Sequence, residues 1–211
     1  MAKGAFISFE GGEGCGKSTH VKALAEHLKS LGKDCIVTRE PGGTPLSEKI
    51  RALLLHAKEG SAMTDRAEIL LFEAARAQHV EELIKPALEA GKIVVCDRFF
   101  DSTTAYQGAA RNISLENVRS LNMFATGGLL PDVTILLDLP ASVGMARASA
   151  RDAGNSDRMG SEKAEFYEAV RSAFLRLASE NPNRFVVVDT TRSAGEVFAE
   201  ILRALSERGI I

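Results

Sequence analysis

Lys17 and Ser18 close the stretch "GGEGCGKST", in which Gly11 to Ser18 fits G-x-x-x-x-G-K-[ST] in full. Such a loop wraps tightly, so its backbone N–H groups converge on phosphate oxygens. Lys17 adds a point charge for the β- and γ-phosphates, and the Ser18 hydroxyl can ligate Mg²⁺. A helix predicted to follow aims its N-terminal dipole at the same place. The residues assigned to ATP are therefore Gly11, Gly12, Glu13, Gly14, Cys15, Gly16, Lys17, Ser18 and Thr19. Glu13 stands out among them, because a carboxylate in a loop built to hold anions needs a cation to offset it.

Two further pairs have chemistry in their spacing. Asp97 ends the apolar run "KIVVCD", where a carboxylate can act on a magnesium shell, and Arg98 beside it offers a fork of donors for a phosphate. The same two residues could instead pair with each other or with neighbours. Phe72 and Arg76, in "LLFEAARAQ", are four apart on a predicted helix and so point the same way. A ring beside a guanidinium suits a nucleobase, the ring stacking and the arginine donating to a carbonyl. Phe72 alone would read as a core residue.

Short β-rich runs alternating with helical patterns must position these groups. Strands are predicted at 5–10, 35–40, 92–97, 132–139 and 184–189, all apolar enough to be buried on both faces. Helices are predicted after the glycine loop, at 46–57, 65–90, 114–126, from about 140, and at 193–208, with a polar loop after Asp97. This order gives an α/β fold of three layers: a mainly parallel five-stranded sheet flanked by helices, in one domain. Ligands gather at the carboxyl ends of such strands, where the sequence places Glu10, Glu40, Asp97 and Asp138. The polar segment "RDAGNSDRMGSE" reads as a mobile interruption between two helices.

Composition excludes other classes. A formal net charge of −2 gives no reason to expect nucleic acid or an acidic membrane as partner. No apolar run approaches membrane-spanning length, and the start lacks the pattern of a secretory signal. Cys15, Cys35 and Cys96 are scattered, suiting a reducing cytoplasm rather than a disulfide framework. The four histidines show no ligand spacing and are expected on helix surfaces. A nucleotide switch would need an N-K-x-D motif, which is absent, and a motor would need more chain. A small kinase is left, with a second substrate site.

Together, "FEGGEGCGKST", "TREPGGTPLSEKIRALLL", "LLFEAARAQHV", "DRFFDSTTAYQGAAR", "LPDVTILLDLP" and "RASARDAGNSDR" resemble the bacterial thymidylate kinases, in family order along essentially the whole chain. The resemblance implies the P-loop nucleotide kinase fold and transfer of the ATP γ-phosphate to dTMP with Mg²⁺ as cofactor. It implies dTMP contacts at Glu13, Glu40, Arg51, Phe72, Arg76, Arg98, Thr103, Tyr106 and Gln107. Phe72 would stack on thymine, Arg76 would donate to O4, and Thr103 and Gln107 would read the N3 edge. Tyr106 would lie beneath the sugar, selecting deoxyribose, while Arg98, Arg51 and Glu40 would serve the acceptor phosphate. Glu13 would accept from the 3′-hydroxyl, its charge offset by Lys17, Mg²⁺ and a lid arginine. Thr103 stands where relatives often carry Ser, and Cys15 where Ala is common.

The acceptor phosphate is already an anionic nucleophile, so positioning and charge stabilisation must supply the catalysis. By resemblance the catalytic residues are Lys17, Arg98 and Arg151, and the metal residues Ser18 and Asp97. A lid over about 147–162 would exclude water, with Arg151 acting on the phosphoryl group and Arg147 packing against adenine. The loop "TTRSAG" would supply backbone contacts to the base, and the family's homodimer would form through side helices. A kinase for another monophosphate or a deoxynucleoside, and a non-catalytic nucleotide-binding module, are the alternatives.

Overall fold

A computed structural model of the chain describes residues 4–56, 63–111, 113–152 and 163–211, with 151 and 152 described by backbone alone. Five strands form one sheet: β1 (Phe6–Glu10), β2 (Cys35–Arg39), β3 (Ile93–Asp97), β4 (Val133–Asp138) and β5 (Phe185–Asp189). Their order is β2-β3-β1-β4-β5, and every pairing is parallel. The chain leaves β1 toward one edge and returns past it to the other, so the crevice opens at the carboxyl end of β1. Register sets the depth of that crevice: Phe9 lies beside Asp97 on β3, and Glu10 beside Leu136 on β4.

Because side chains alternate across a strand, each strand feeds two cores. Ile7, Phe9, Val95, Ile135 and Leu137 meet Val21, Leu24 and Leu28 of α1 (Lys17–Ser30) and Val197, Ile201 and Leu205 of α9 (Ala194–Glu207). On the opposite face Phe6, Val94 and Cys96 pack under Val80, Ile84 and Phe99, while Leu136 and Phe185 meet Val170 and Phe174 of α8 (Ala164–Glu180). Both faces are thus closed over the central strands β1, β3 and β4. The edge strands β2 and β5 leave Val37 and Val187 exposed, so the expected burial on both faces fails at the two edges, where no further strand and less helix covers them.

Two segments depart from the sequence reading. Residues 65–90 are not one regular helix: α3 (Asp65–His79) passes through a widened π-type turn (Val80–Ile84) into α4 (Lys85–Glu89). Pro86 accounts for the widening, because it offers no N–H and its ring would crowd the carbonyl one turn back. The expected polar loop after Asp97 is instead helical, as α5 (Phe100–Thr103) followed by a second wide turn (Thr104–Ala110). Its Ser, Thr and Gly content favours a loop locally, but Asp101, Ser102, Thr103, Thr104 and Gln107 are all buried and bonded to partners far along the chain. Tertiary hydrogen bonds override the local preference.

The remaining elements follow the reading closely: α2 (Pro45–His56), α6 (Leu115–Thr126) and α7 (Ala141–Asp152). Among the histidines, His56 is exposed, but His20 and His79 are buried, so the expectation of surface histidines fails there. His20 stacks on Phe198 and His79 serves the site described below. All three cysteines are free. Among the described residues, no helix is long and apolar enough to cross a membrane.

Candidate active site

The glycine loop joins β1 to α1, and its left-handed turns at Gly14 (φ 65°) and Gly16 (φ 89°) demand residues without a Cβ. At Gly14 there is a second reason. An added Cβ would lie 2.2 Å from the Gly144 carbonyl of α7, and one added at Gly144 would lie 2.3 Å from the Glu13 carbonyl. The loop therefore rests backbone to backbone on α7. Sequence reasoning passed over Gly144, which breaks an otherwise ordinary helix pattern and could have been noticed on that ground.

Lys17 folds back over the loop, donating from Nζ to the carbonyls of Gly12 (2.7 Å) and Gly11 (3.2 Å). Ser18 donates to Asp97 Oδ2 at 2.9 Å. One hydroxyl and one carboxylate side by side fit a magnesium ion whose other ligands are phosphate oxygens and water. No group of three or more His, Cys, Asp or Glu able to hold a metal occurs among the described residues.

Arg98 is the junction of the site. Its backbone lies at φ 71°, a left-handed conformation that costs a side-chain-bearing residue about 1–2 kcal/mol. Several bonds hold it there: its N–H donates to Phe9, its carbonyl accepts from Cys96 Sγ, and Nη1 reaches the Gly11 carbonyl and Ser102 Oγ. Nη2 donates to Glu13 Oε1 at 2.6 Å, and the guanidinium lies 5.1 Å above the Tyr106 ring. The Tyr106 hydroxyl also donates to Glu13 Oε1, at 3.3 Å. Where the sequence reading sought the cation for Glu13 in Lys17, Mg²⁺ and the lid, the structure supplies Arg98.

Beneath Arg98 lies Glu10, fully buried at the end of β1. It accepts from the Phe99 N–H (2.7 Å) and from Ser102 Oγ (2.6 Å). Burial, reinforced by the negative charge of Asp101, pushes the Glu10 carboxyl up to about 8. Asp101 in turn takes a forked pair of bonds from Arg184, at 2.5 and 2.9 Å.

The residues expected to read a base sit together on one side of the site. Phe72 is half-buried on the wall, and Arg76 is 2% exposed. Arg76 donates to Glu40 (2.8 Å), Glu73 (2.6 Å), Asn122 (3.3 Å) and Thr103 Oγ1 (3.0 Å). Burial alone would lower its pKa, but Glu40 and Glu73 outweigh that and hold it above its ordinary value. The second Glu40 oxygen meets His79 Nδ1 at 3.0 Å, and His79 Nε2 meets the Thr38 hydroxyl at 2.7 Å. Glu40, expected with the acceptor phosphate, is therefore committed to Arg76 and His79. Gln107 donates from Nε2 to Glu68 at 2.8 Å. Arg51 donates to the Pro41 carbonyl at 2.8 Å, on the cavity wall.

These groups enclose one cavity of about 620 Å³, lined from Glu13 to Thr19 on one side and by Glu40, Arg51, Phe72, Arg76, Asp97, Arg98, Thr103, Tyr106, Gln107 and Arg147 on the other. Arg147 reaches the Thr190 carbonyl at 3.5 Å, joining α7 to the "TTRSAG" loop. Asp138 accepts a fork from Arg171 and does not line this cavity. The Arg151 side chain and the lid from 153 to 162 lie outside the described residues. Glu68, Glu73, His79, Asn122 and Arg184 were not singled out from sequence as parts of the site. Glu68 and Glu73 had a signal, since both fall on the helical face that carries Phe72 and Arg76.

The family model for thymidylate kinases matches residues 9–201 of the chain. A thymidylate kinase of Pseudomonas fluorescens is 50% identical over 202 residues, covering 96% of this chain and 93% of that protein. One from Geotalea daltonii is 49% identical over 210 residues, covering 97% and 98%. The crystal structure of thymidylate kinase from Ehrlichia chaffeensis superimposes with a TM-score of 0.79 at 34% identity, covering 96% of this chain and 99% of the other.

Two outcomes follow from the geometry. Arg98→Ala and Arg98→Gly both lose turnover, but the glycine variant is the more stable of the two by about 1 kcal/mol in denaturant unfolding, because it relieves the φ > 0 cost. Equal stabilities would show that Arg98 is unstrained. Glu10 keeps its proton in the folded state to higher pH than in the unfolded chain. The stability it contributes is thus full below about pH 4.5 and lost as pH rises through about 8. In Glu10→Gln that decline is absent, as unfolding at pH 5.5 and pH 8.5 would reveal; an undiminished decline would place the titration elsewhere.

Proposed function

The chain belongs to the thymidylate kinase family and phosphorylates dTMP, and we propose that it takes the phosphoryl group from ATP with Mg²⁺, each substrate held by the residues that line its end of the one cavity. The observation carrying this reading is that the glycine loop and the Phe72–Arg76–Gln107 wall face the same space, with Arg98 between them. Loop N–H groups and Lys17 would hold the donor phosphates, Lys17 exchanging the Gly11 and Gly12 carbonyls for phosphate oxygens. Ser18 and Asp97 would hold the ion, which when bound neutralises charge on the β- and γ-phosphates. Arg98 would take the acceptor phosphate, with Arg51 in support. Glu13, already aligned by Arg98 and Tyr106, would accept from the sugar hydroxyl.

Phe72 would stack on thymine while Arg76, its other bonds fixed, donates toward O4. Thr103 and Gln107 would meet the N3 edge, and Tyr106 would bar a 2′-hydroxyl. Arg147 would pack on adenine near the Thr190 carbonyl. The lid at about 147–162 would bring Arg151 to the transferring group, and the whole would act as a single domain in the cytoplasm, where free cysteines persist. We also assign a homodimer to the chain. Leu46 and Leu53 of α2, Leu70 of α3 and Met123 and Phe124 of α6 are exposed, Phe124 at 87%, on helices that pack side by side.

A coupled assay with ATP and dTMP, dUMP, dCMP or thymidine tests the acceptor assignment. Turnover should be best for dTMP and lower for dUMP by about 10–200-fold, the worth of one methyl group. Turnover of dCMP equal to that of dTMP would overturn the reading. In the same assay Arg151→Ala should lower kcat by orders of magnitude with little change in dTMP binding, and near-normal turnover would remove Arg151 from the mechanism. Sedimentation should give a dimer for the native chain and a monomer for Phe124→Glu; an unchanged mass in the variant would rule this face out.

A further inference from the structure

Gln107 is 1% exposed and lines the cavity, and its amide can present either of two opposite faces to a base. Turned one way, it offers a donor; turned the other, an acceptor. The neighbour that decides between them is Glu68, one helical turn before Phe72 on α3 and itself 1% exposed. Glu68 Oε1 lies 2.8 Å from Gln107 Nε2. An ionised carboxylate accepts and never donates, so the amide must give its NH₂ to Glu68. Its carbonyl is then the group left for the cavity, and no hydrogen bond among the described residues takes it up.

The anion is itself held in place. Arg111 Nε lies 3.5 Å from Glu68 and 3.7 Å from Asp65, with its guanidinium 4.9 Å over the Phe166 ring. The orientation of Gln107 is therefore fixed by a chain from Phe166 through Arg111 and Glu68, none of which lines the cavity.

We propose that Glu68 is a specificity-determining positioning residue: by fixing the Gln107 carbonyl toward the cavity, it selects a pyrimidine whose N3 carries hydrogen over one whose N3 is a bare acceptor. Thymine and uracil satisfy the carbonyl through N3–H. Cytosine would set its N3 lone pair against the carbonyl oxygen, and neither could be satisfied without turning the amide away from Glu68. The inference rests on the placement of the base against Phe72, Arg76 and Gln107 proposed above.

The test compares kcat/KM for dTMP with that for 5-methyl-dCMP, which shares the methyl, sugar and phosphate. Arg76 also discriminates at the 4-position, but its share is common to all variants and cancels in the change of the ratio. Glu68→Gln can accept or donate, so it releases the amide, and the dTMP preference should fall by about tenfold or more. The double variant Glu68→Gln with Gln107→Glu keeps the charge and the hydrogen bond but again presents only an acceptor. It should return the preference to near the native value, an outcome that a purely structural role for Glu68 does not produce. A native ratio near one would overturn the base placement itself. A native preference left unchanged in Glu68→Gln would overturn the role of Glu68 alone. If Glu68→Gln does not fold, the double variant decides: native preference upholds the proposal, and lost preference sinks it.

Discussion

The contact between Arg98 and Glu13 is the constraint on which the site's arrangement depends. A carboxylate in a phosphate loop is unfavourable unless a cation lies against it, and at 2.6 Å Arg98 is that cation. To deliver it, the chain accepts a left-handed residue immediately after β3. That residue sits between three segments, bonding to Phe9 and Gly11 behind the loop, to Glu13 in it, and to Ser102 on the following helix. The donor end and the acceptor end of the cavity are thereby fixed to one another through one side chain. Positioning of this kind is where phosphoryl transfer gains most, because the nucleophile needs little activation.

Around that junction the wall is built from buried charge. Arg76 is held by Glu40 and Glu73, Glu40 by His79, Asp101 by Arg184, and Gln107 by Glu68. Buried ion pairs add little net stability, since desolvation cancels most of the attraction. Their effect here is orientational. Arg76 has its Nε on Glu40 and its Nη1 on Glu73, so the guanidinium plane has one setting. Glu10 differs from the others in having no cation bonded to it, and its carboxyl is pushed up to about 8. It supports Arg98 through a hydroxyl and a backbone N–H rather than through charge.

The sequence carried the fold in its apolar strands and the loop's conformation in its glycine spacing, because both depend on local pattern. Five strands and their parallel pairing were legible on those grounds, and so was the position of Asp97 at the end of its strand, where Ser18 meets it. The acceptor side was less so. Residues 100–110 carry loop-forming types, and only partners such as Glu10 and Arg184, roughly 80 to 90 positions away in sequence, keep them helical. His79 looks like an ordinary polar position on a helix until α3 is packed, when it turns out to face Glu40. Glu68, though on the face of Phe72, shows its partner Gln107 only then. The widened turn at Val80–Ile84 follows from Pro86, whose effect was visible in principle but was absorbed into a single long helix.

The charges at the phosphate end bear on the ion that Ser18 and Asp97 are proposed to hold. Lys17 and Arg98 are opposed there by Glu13 and Asp97, while Arg51 and Arg147 add positive charge to the same cavity. Two nucleotides bring several negative charges to the same place. Loop N–H groups offset part of that, but dipoles fall off faster with distance than charges do. A divalent ion held by Ser18 and Asp97, as proposed above, would add positive charge where charge accumulates in the reaction. Lys17, parked on the loop's carbonyls rather than on a resident acid, would then be available to the phosphoryl group in the role proposed for it. Glu13 and Arg98 are satisfied by each other beforehand, so in the roles proposed above they would exchange that bond for the acceptor's sugar and phosphate without leaving a buried charge alone.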